Sequence, residues 1–131
     1  MACLDTDILV SLIKGDPKAV SFINTLERKG EELRSTIITA YELLKGAAIS
    51  VKSDANVRLV KDLLSNIAIL ELDSPSVELA SMIYQKLRRK GEMIGEFDIL
   101  IAAISIKRGE ELISNDKDFF KIEDLKVRLW R

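Results

Sequence analysis

Four acidic residues stand where ordinary surface charge is unexpected. Asp5 ends the apolar run Ala2-Cys3-Leu4, Glu42 lies inside an apolar helix start, Asp98 heads the segment that is apolar nearly all round, and Asp116 follows Leu112-Ile113. Carboxylates forced together repel one another, which raises their pKa values and costs stability unless a cation sits between them. A divalent ion resolves the conflict, and ligation by oxygen alone favours Mg²⁺ or Mn²⁺ over zinc. One or two such ions lower the pKa of a bound water, orient it for in-line attack on phosphorus and stabilise the leaving oxygen. That chemistry needs no protein nucleophile and no histidine, and the chain contains no His. The pattern therefore points to metal-assisted hydrolysis of phosphodiesters.

Each acid also has a plain local reading. Thr39-Ala-Tyr-Glu42 matches a capping box, in which the Glu side chain returns to the cap amide. Asp98 near a helix start is favoured by the macrodipole, and Asp116 and Asp118 sit in a polar stretch suited to a turn. Asp5 and Asp7 fit a helix cap. What sets the group apart is that all of it can meet at one edge of a sheet, where ligands of open parallel sheets bind.

The elements that must deliver these acids alternate. Ala2–Leu4 reads as a strand entering the core, and Asp5 to Ile13 as a helix closed by Lys14-Gly15. Asp16-Pro17 is an N-cap and first-turn pair for a helix to Lys29-Gly30. Leu33 to Ile38 is β-branched and short, a second strand, after which Thr39 opens a helix running through Gly46. A further amphipathic helix covers about Ser53 to Ser65. Ile67 to Leu72 is a third strand, and Ser74-Pro75 starts a long helix to Lys90 that Gly91 stops. Glu96 to Arg108 reads as a helix buried on several sides, Leu112-Ile113 as a fourth strand, and Val127 to Trp130 as a fifth at an edge. This order predicts a three-layer α/β/α fold with a mostly parallel, roughly five-stranded sheet. It forms one domain over residues 1–131, without repeats or linkers.

Composition narrows the partners. Twenty Lys plus Arg against twenty-one Asp plus Glu leave a net charge of -1, so nucleic-acid binding must rest on local patches. The single Cys3 excludes an internal disulfide and a Cys-cluster zinc site, as suits a reducing compartment. No segment has the length and hydrophobicity of a membrane span and none reads as a signal peptide, so a soluble, cytoplasmic protein is expected.

The stretches Leu4-Asp-Thr-Asp-Ile-Leu9, Thr39-Ala-Tyr-Glu-Leu-Leu-Lys-Gly46, Gly95-Glu-Phe-Asp-Ile-Leu-Ile-Ala-Ala103 and Leu112-Ile-Ser-Asn-Asp-Lys-Asp-Phe119 carry a family resemblance. In this order, over nearly the whole chain, they resemble PIN domains, and specifically the small VapC-type ribonuclease toxins of prokaryotic toxin–antitoxin pairs. The resemblance implies that Asp5, Glu42, Asp98 and Asp116 are the acidic metal-binding quartet, with Thr6 or Ser114 orienting it. Asp7 stands where the family often has Asn or Ser, and Asp118 rivals Asp116 as the fourth acid. The family further implies an RNA substrate, Mg²⁺ or Mn²⁺, a homodimer, and a small antitoxin whose Arg-bearing tail enters the acidic pocket.

Lys86, Arg88, Arg89 and Lys90 form a basic run that can hold RNA phosphates or simply be a solvated helix end favoured by the dipole. Phe97, Phe119 and Phe120 read as core, and Trp130 as the cover of a sheet edge. Two rival functions stand beside the nuclease. Asp5-Thr-Asp7 resembles the Asp-x-Asp of haloacid-dehalogenase-like phosphatases, with Asp5 as nucleophile and Asp7 as acid/base, although Leu9 replaces the small hydroxyl residue expected there. A PIN-like scaffold that binds RNA or a partner without cutting is the other.

Overall fold

The computed structural model describes every residue from Met1 to Arg131. Its elements run β1 (Ala2–Leu4), α1 (Thr6–Ile13), α2 (Pro17–Arg28), β2 (Arg34–Thr36), α3 (Ile37–Ala48), α4 (Ser53–Ser65), β3 (Ala68–Leu70), α5 (Ser74–Lys90), α6 (Glu96–Lys107), β4 (Glu111–Ile113) and β5 (Val127–Arg128). A 3₁₀ turn covers Lys117–Lys121, where the sequence suggested only a polar turn. The strands form one sheet in the order β3-β2-β1-β4-β5, and all four pairings are parallel.

Side chains alternate across a strand, and the sheet uses that alternation to separate two cores. Ala2, Leu4 and Ile113 face a core built with α1, α2, α3 and α4, through Leu9, Ile23, Leu43 and Val60. Cys3 and Leu112 face the opposite core, shared with Ile83 and Leu87 of α5 and with Ile99 to Ala103 of α6. Helices thus cover both faces, which is what parallel strands require. The apolar circumference of α6 finds its reason here, since Ile101, Ala102, Ala103 and Ile104 have no exposed surface.

Caps set the helix starts. Asp16 Oδ1 accepts from the Lys18 amide at 2.9 Å, as the sequence predicts for α2. For α5 the cap is Asp73 rather than Ser74, its Oδ1 accepting from the Ser76 amide at 2.9 Å. In α3 the helix begins two residues before the expected Thr39, because Thr36 Oγ1 accepts from the Thr39 amide at 3.1 Å. The change frees Thr39 from capping and ends β2 at Thr36. Strands β2, β3 and β5 are likewise shorter than the runs that announce them, while β4 begins one residue earlier, at Glu111.

Helices α5 and α6 form an antiparallel hairpin. Arg108, just past α6, lies 3.8 Å from the Asp73 carboxylate just before α5, while residues 91–95 join the other two ends. Gly91 makes that turn in the left-handed region at φ 66°, where a side chain would be strained. The basic end of α5 and the acidic start of α6 are consequently brought to the same end of the hairpin. No helix is long and apolar enough to cross a membrane.

Candidate metal centre

From β1 the chain builds the sheet outward through β2 to β3, and then returns to add β4 and β5 on the other side of β1. The reversal makes the crevice between the carboxyl ends of β1 and β4 the switch point at which such sheets bind ligands. Register brings Leu4 opposite Ile113, and the Asp5 amide donates to the Ile113 carbonyl at 3.0 Å. The residues after the two strands therefore lie side by side. Ser114 Oγ donates to Asp5 Oδ2 at 2.7 Å and accepts from the Asp116 amide at 3.0 Å. Asp5 occupies the N-cap position of α1, yet its side chain makes no cap hydrogen bond.

Helix α6 delivers Asp98 into the same crevice from its first turn. One carboxylate oxygen from each of Asp98, Asp116 and Asp118 lies within 4.8 Å of the others. Asp116 Oδ1 also caps the 3₁₀ turn by accepting from the Asp118 amide at 2.9 Å, so its turn-forming role coexists with the cluster. Burial pushes the Asp98 carboxyl up to about 6, reinforced by the charges of Asp116, Glu42, Asp118 and Asp7. Asp5, only 4% exposed, is pushed up to about 7. Burial is again the main cause, opposed by the Ser114 hydrogen bond and increased by Asp7 and Asp98. The fold thus places Asp5, Glu42, Asp98 and Asp116 in one electrostatic neighbourhood, while the tightest group of carboxylates includes Asp118.

Glu42 is held by a chain of hydroxyls. Thr6 Oγ1 lies 2.8 Å from Glu42 Oε1 and 3.0 Å from Thr39 Oγ1. A hydroxyl has one proton, and the carboxylate is the stronger acceptor. Thr6 therefore donates to Glu42 and accepts from Thr39. The capping-box reading of Thr39 and Glu42 is corrected by this geometry: Glu42 reaches across to α1 rather than back to its own helix. Thr36 is not singled out in the sequence and Thr39 only as a helix cap; the available signal is a pair of hydroxyl residues astride the β2–α3 junction.

Asp7 caps nothing. Its Oδ2 accepts from the Asn115 amide at 2.8 Å, with the Ser114 hydroxyl at 3.3 Å, and its Oδ1 accepts from the Trp130 indole at 3.2 Å. The Trp130 amide in turn donates to Asn115 Oδ1 at 3.0 Å. Asp7 is a clamp joining α1, the loop after β4 and the chain's end. Trp130 is correspondingly buried in the core beside α1 rather than laid over an edge. With both carboxylate oxygens committed to donors, Asp7 is not available as the acid/base of an aspartyl phosphatase, and that alternative is set aside.

The basic run is divided. Lys90 pairs with Glu123 at 2.6 Å, and Lys86 lines an apolar groove with Met82, Ile83 and Ile122. Arg88 and Arg89 make no ion pair within the chain. Phe119 is fully buried as expected, but Phe97 and Phe120 are 37% and 56% exposed, which corrects their assignment to the core.

The donor set suits a divalent cation. All candidate ligand atoms are oxygens, and among the clustered acids only Asp118 has a basic partner, Lys121 at 3.1 Å. Asp5, Glu42, Asp98 and Asp116 make no ion pair, so their mutual repulsion is left for a bound ion to relieve.

The sequence pattern of the PIN domain matches residues 2–125. Ribonuclease VapC2 of Haemophilus influenzae is 30% identical over 128 residues, covering 97% of this chain and 96% of that protein. The tRNA(fMet)-specific endonuclease VapC of Shigella flexneri is 29% identical over the same share of both chains. Among solved structures, VapBC2 of Rickettsia felis bound to a DNA fragment from its promoter superposes with a TM-score of 0.91 at 26% identity, covering 99% of this chain and 98% of that one. DNA-bound VapBC of Salmonella typhimurium follows at 0.90 and 26% with the same coverage. An all-parallel sheet with acids gathered at its switch point and a matching pattern from end to end lead to one conclusion: the chain belongs to the PIN domain family.

Proposed function

We propose that this chain is a divalent-metal-dependent endoribonuclease, the VapC-type toxin of a toxin–antitoxin pair. The observation that carries the reading is the meeting of the Asp98, Asp116 and Asp118 carboxylates at the β1–β4 crevice, beside Asp5 and Glu42. The relatives named as ribonucleases span nearly the same length, which supports RNA as substrate.

Asp98, Asp116 and Asp118 hold the ion, with Asp5 and Glu42 completing the acidic wall. Mg²⁺ is our choice of ion, with Mn²⁺ its substitute, because the donors are hard oxygens and phosphate is the ligand to be shared. Such an ion supplies a water of lowered pKa and neutralises charge on the phosphodiester. Ser114 fixes one Asp5 oxygen and leaves the other without a side-chain donor. Thr6 fixes one Glu42 oxygen in the same way. The Asp7 clamp holds the loop that carries Ser114 and Asp116 against α1, so the acids from β1 and β4 keep their relative positions. Of the basic run, Arg88 and Arg89, which make no ion pair within the chain, are assigned to RNA phosphates, while Lys90 is engaged by Glu123.

The partners follow from the same reading. A small antitoxin is supported by the toxin–antitoxin complexes among the structural relatives. A homodimer is part of the proposal, as is action in the cytoplasm, where a toxin of RNA meets its substrate. Residues 1–131 are taken as one nuclease domain.

The test is cleavage of single-stranded RNA in Mg²⁺ or Mn²⁺. EDTA and Asp98→Asn are each expected to abolish it, while millimolar Mn²⁺ raises the unfolding temperature of the wild type alone. Stabilisation by an ion bound only to the folded state reaches about 2.7 kcal/mol at a hundred times the dissociation constant. RNA cleavage that persists in Asp98→Asn overturns the assignment, and RNA binding without cleavage in any metal leaves a non-catalytic module.

A further inference from the structure

Two aromatic rings stand at the lip of the acidic crevice. Tyr41 immediately precedes Glu42 on α3, and Phe97 immediately precedes Asp98 on α6. One residue along a helix is a rotation of about 100°, so each helix offers an aromatic beside its acid. The two helices are in contact, and the rings meet edge to face with centroids 5.6 Å apart and planes at 86°. Tyr41 is 52% and Phe97 37% exposed. An open cleft lined by Glu42, Gly95, Glu96, Phe97 and Asp98 connects the Phe97 ring to the acids.

A cation completes the group. Lys45, one turn after Tyr41, places Nζ 5.3 Å from both ring centroids. Lys45 is exposed and makes no ion pair with any acid of the chain. Exposed rings with an unpaired ammonium form the pairing that binds single-stranded nucleic acid elsewhere: a flat face for a base and a positive charge for the backbone. Beside a cluster of carboxylates, that charge also lowers the repulsion felt by an arriving phosphate.

We propose that Tyr41 and Phe97 form a stacking subsite for an unpaired nucleobase flanking the scissile phosphodiester, with Lys45 holding the adjoining phosphate. The proposal rests on the ribonuclease reading and adds positioning residues to it. It makes the preference for single strands a property of the site, since bases within a duplex stack on each other and present no free face.

The test uses the full chain with oligouridine decamers carrying 2-aminopurine at successive positions, a base whose fluorescence falls when it stacks. Binding is read in Ca²⁺ and cleavage in Mn²⁺. At one position the wild type is expected to quench the probe. Tyr41→Ala and Phe97→Ala lose that quenching, and Tyr41→Phe and Phe97→Tyr keep it. In the alanine variants KM rises about 5- to 150-fold, the range expected for one lost base stack, while the Mn²⁺ shift in unfolding temperature is unchanged. Lys45→Gln lowers the slope of log affinity against log salt by about 0.7, one single-strand phosphate contact. Equal quenching by the wild type and both alanine variants overturns the proposal. So does a fall of both variants to monomers by light scattering with the probe response intact, which makes the rings a contact between copies. Quenching that depends on the rings without any RNA cleavage keeps the stacking site and removes the ribonuclease reading. No quenching at any position overturns the subsite, whether or not the RNA is cut.

Discussion

Replacing Asp5 with Asn is expected to stabilise the metal-free protein while removing its chemistry. Asp5 is buried, and its carboxyl rises from 3.8 to about 7. At about 1.4 kcal/mol per pKa unit, ionising it in the folded state costs about 4 kcal/mol more than in the unfolded chain. Because the folded pKa is the higher, the native state binds the proton more tightly. Stability of the metal-free wild type therefore falls as pH rises from about 4 to about 7, and the full cost is present above that. Asn keeps an oxygen to accept from Ser114, but its NH₂ is buried where the second carboxylate oxygen has no side-chain partner to receive it. That mismatch returns about 1–2 kcal/mol. The net gain at pH 8 is about 2–3 kcal/mol, or roughly 6–12 °C in unfolding temperature for a chain of this size. The assay is thermal unfolding by circular dichroism in EDTA at pH 8 and pH 5, where the difference shrinks toward zero because Asp5 is already protonated. In millimolar Mn²⁺ the advantage narrows, because the Asp5 charge in the acidic wall favours the bound ion in the wild type alone. A variant no more stable than wild type at pH 8 in EDTA, or a difference independent of pH, refutes the reasoning.

Asp7→Asn should have the opposite sign, losing about 1–3 kcal/mol at pH 7, since both oxygens accept from N–H groups and an amide offers only one acceptor. Combining it with Trp130→Phe should cost less than the two single changes together, and strict additivity in urea unfolding would deny the clamp. Asp116→Asn and Asp118→Asn should each reduce the Mn²⁺ shift in unfolding temperature; an undiminished shift in Asp118→Asn removes Asp118 from the ion site. Thr6→Val should lower RNA cleavage about 10- to 100-fold, the usual effect of losing a group that orients a ligand. Its metal-free unfolding temperature should stay close to wild type, and full cleavage activity would show that Glu42 needs no such support.

Much of this arrangement was legible in the chain itself. The period of apolar residues announces all five strands and six helices in order, and the Ser53–Ser65 helix carries the same bounds in the structure. Caps such as Asp16 are readable because they act on amides two or three residues away. Acids that interrupt apolar runs at strand ends mark one edge of the sheet in the sequence itself. The misplaced boundaries share a cause: at Asp73 and Thr36 a residue just before the predicted start is also a good cap, and local sequence does not choose between them.

The sequence by itself determined the elements, their order, the absence of histidine chemistry and the acids available to bind a metal, because each of these is set by residue type and by spacing within a few positions. Tertiary structure alone decided what those acids touch. Thr6 and Glu42 are 36 residues apart, Asp5 and Ser114 are 109, and Asp7 and Trp130 are 123. Such pairs depend on sheet register, and a shift of one residue would turn every side chain of a strand to the other face. For the same reason only the fold shows what separates Asp5 from Asp7 in space, the first turned to Ser114 and the second to Asn115 and Trp130. Packing likewise left Phe97 beside the acids rather than in the core, since exposure is a property of what lies opposite a residue and not of the residue itself.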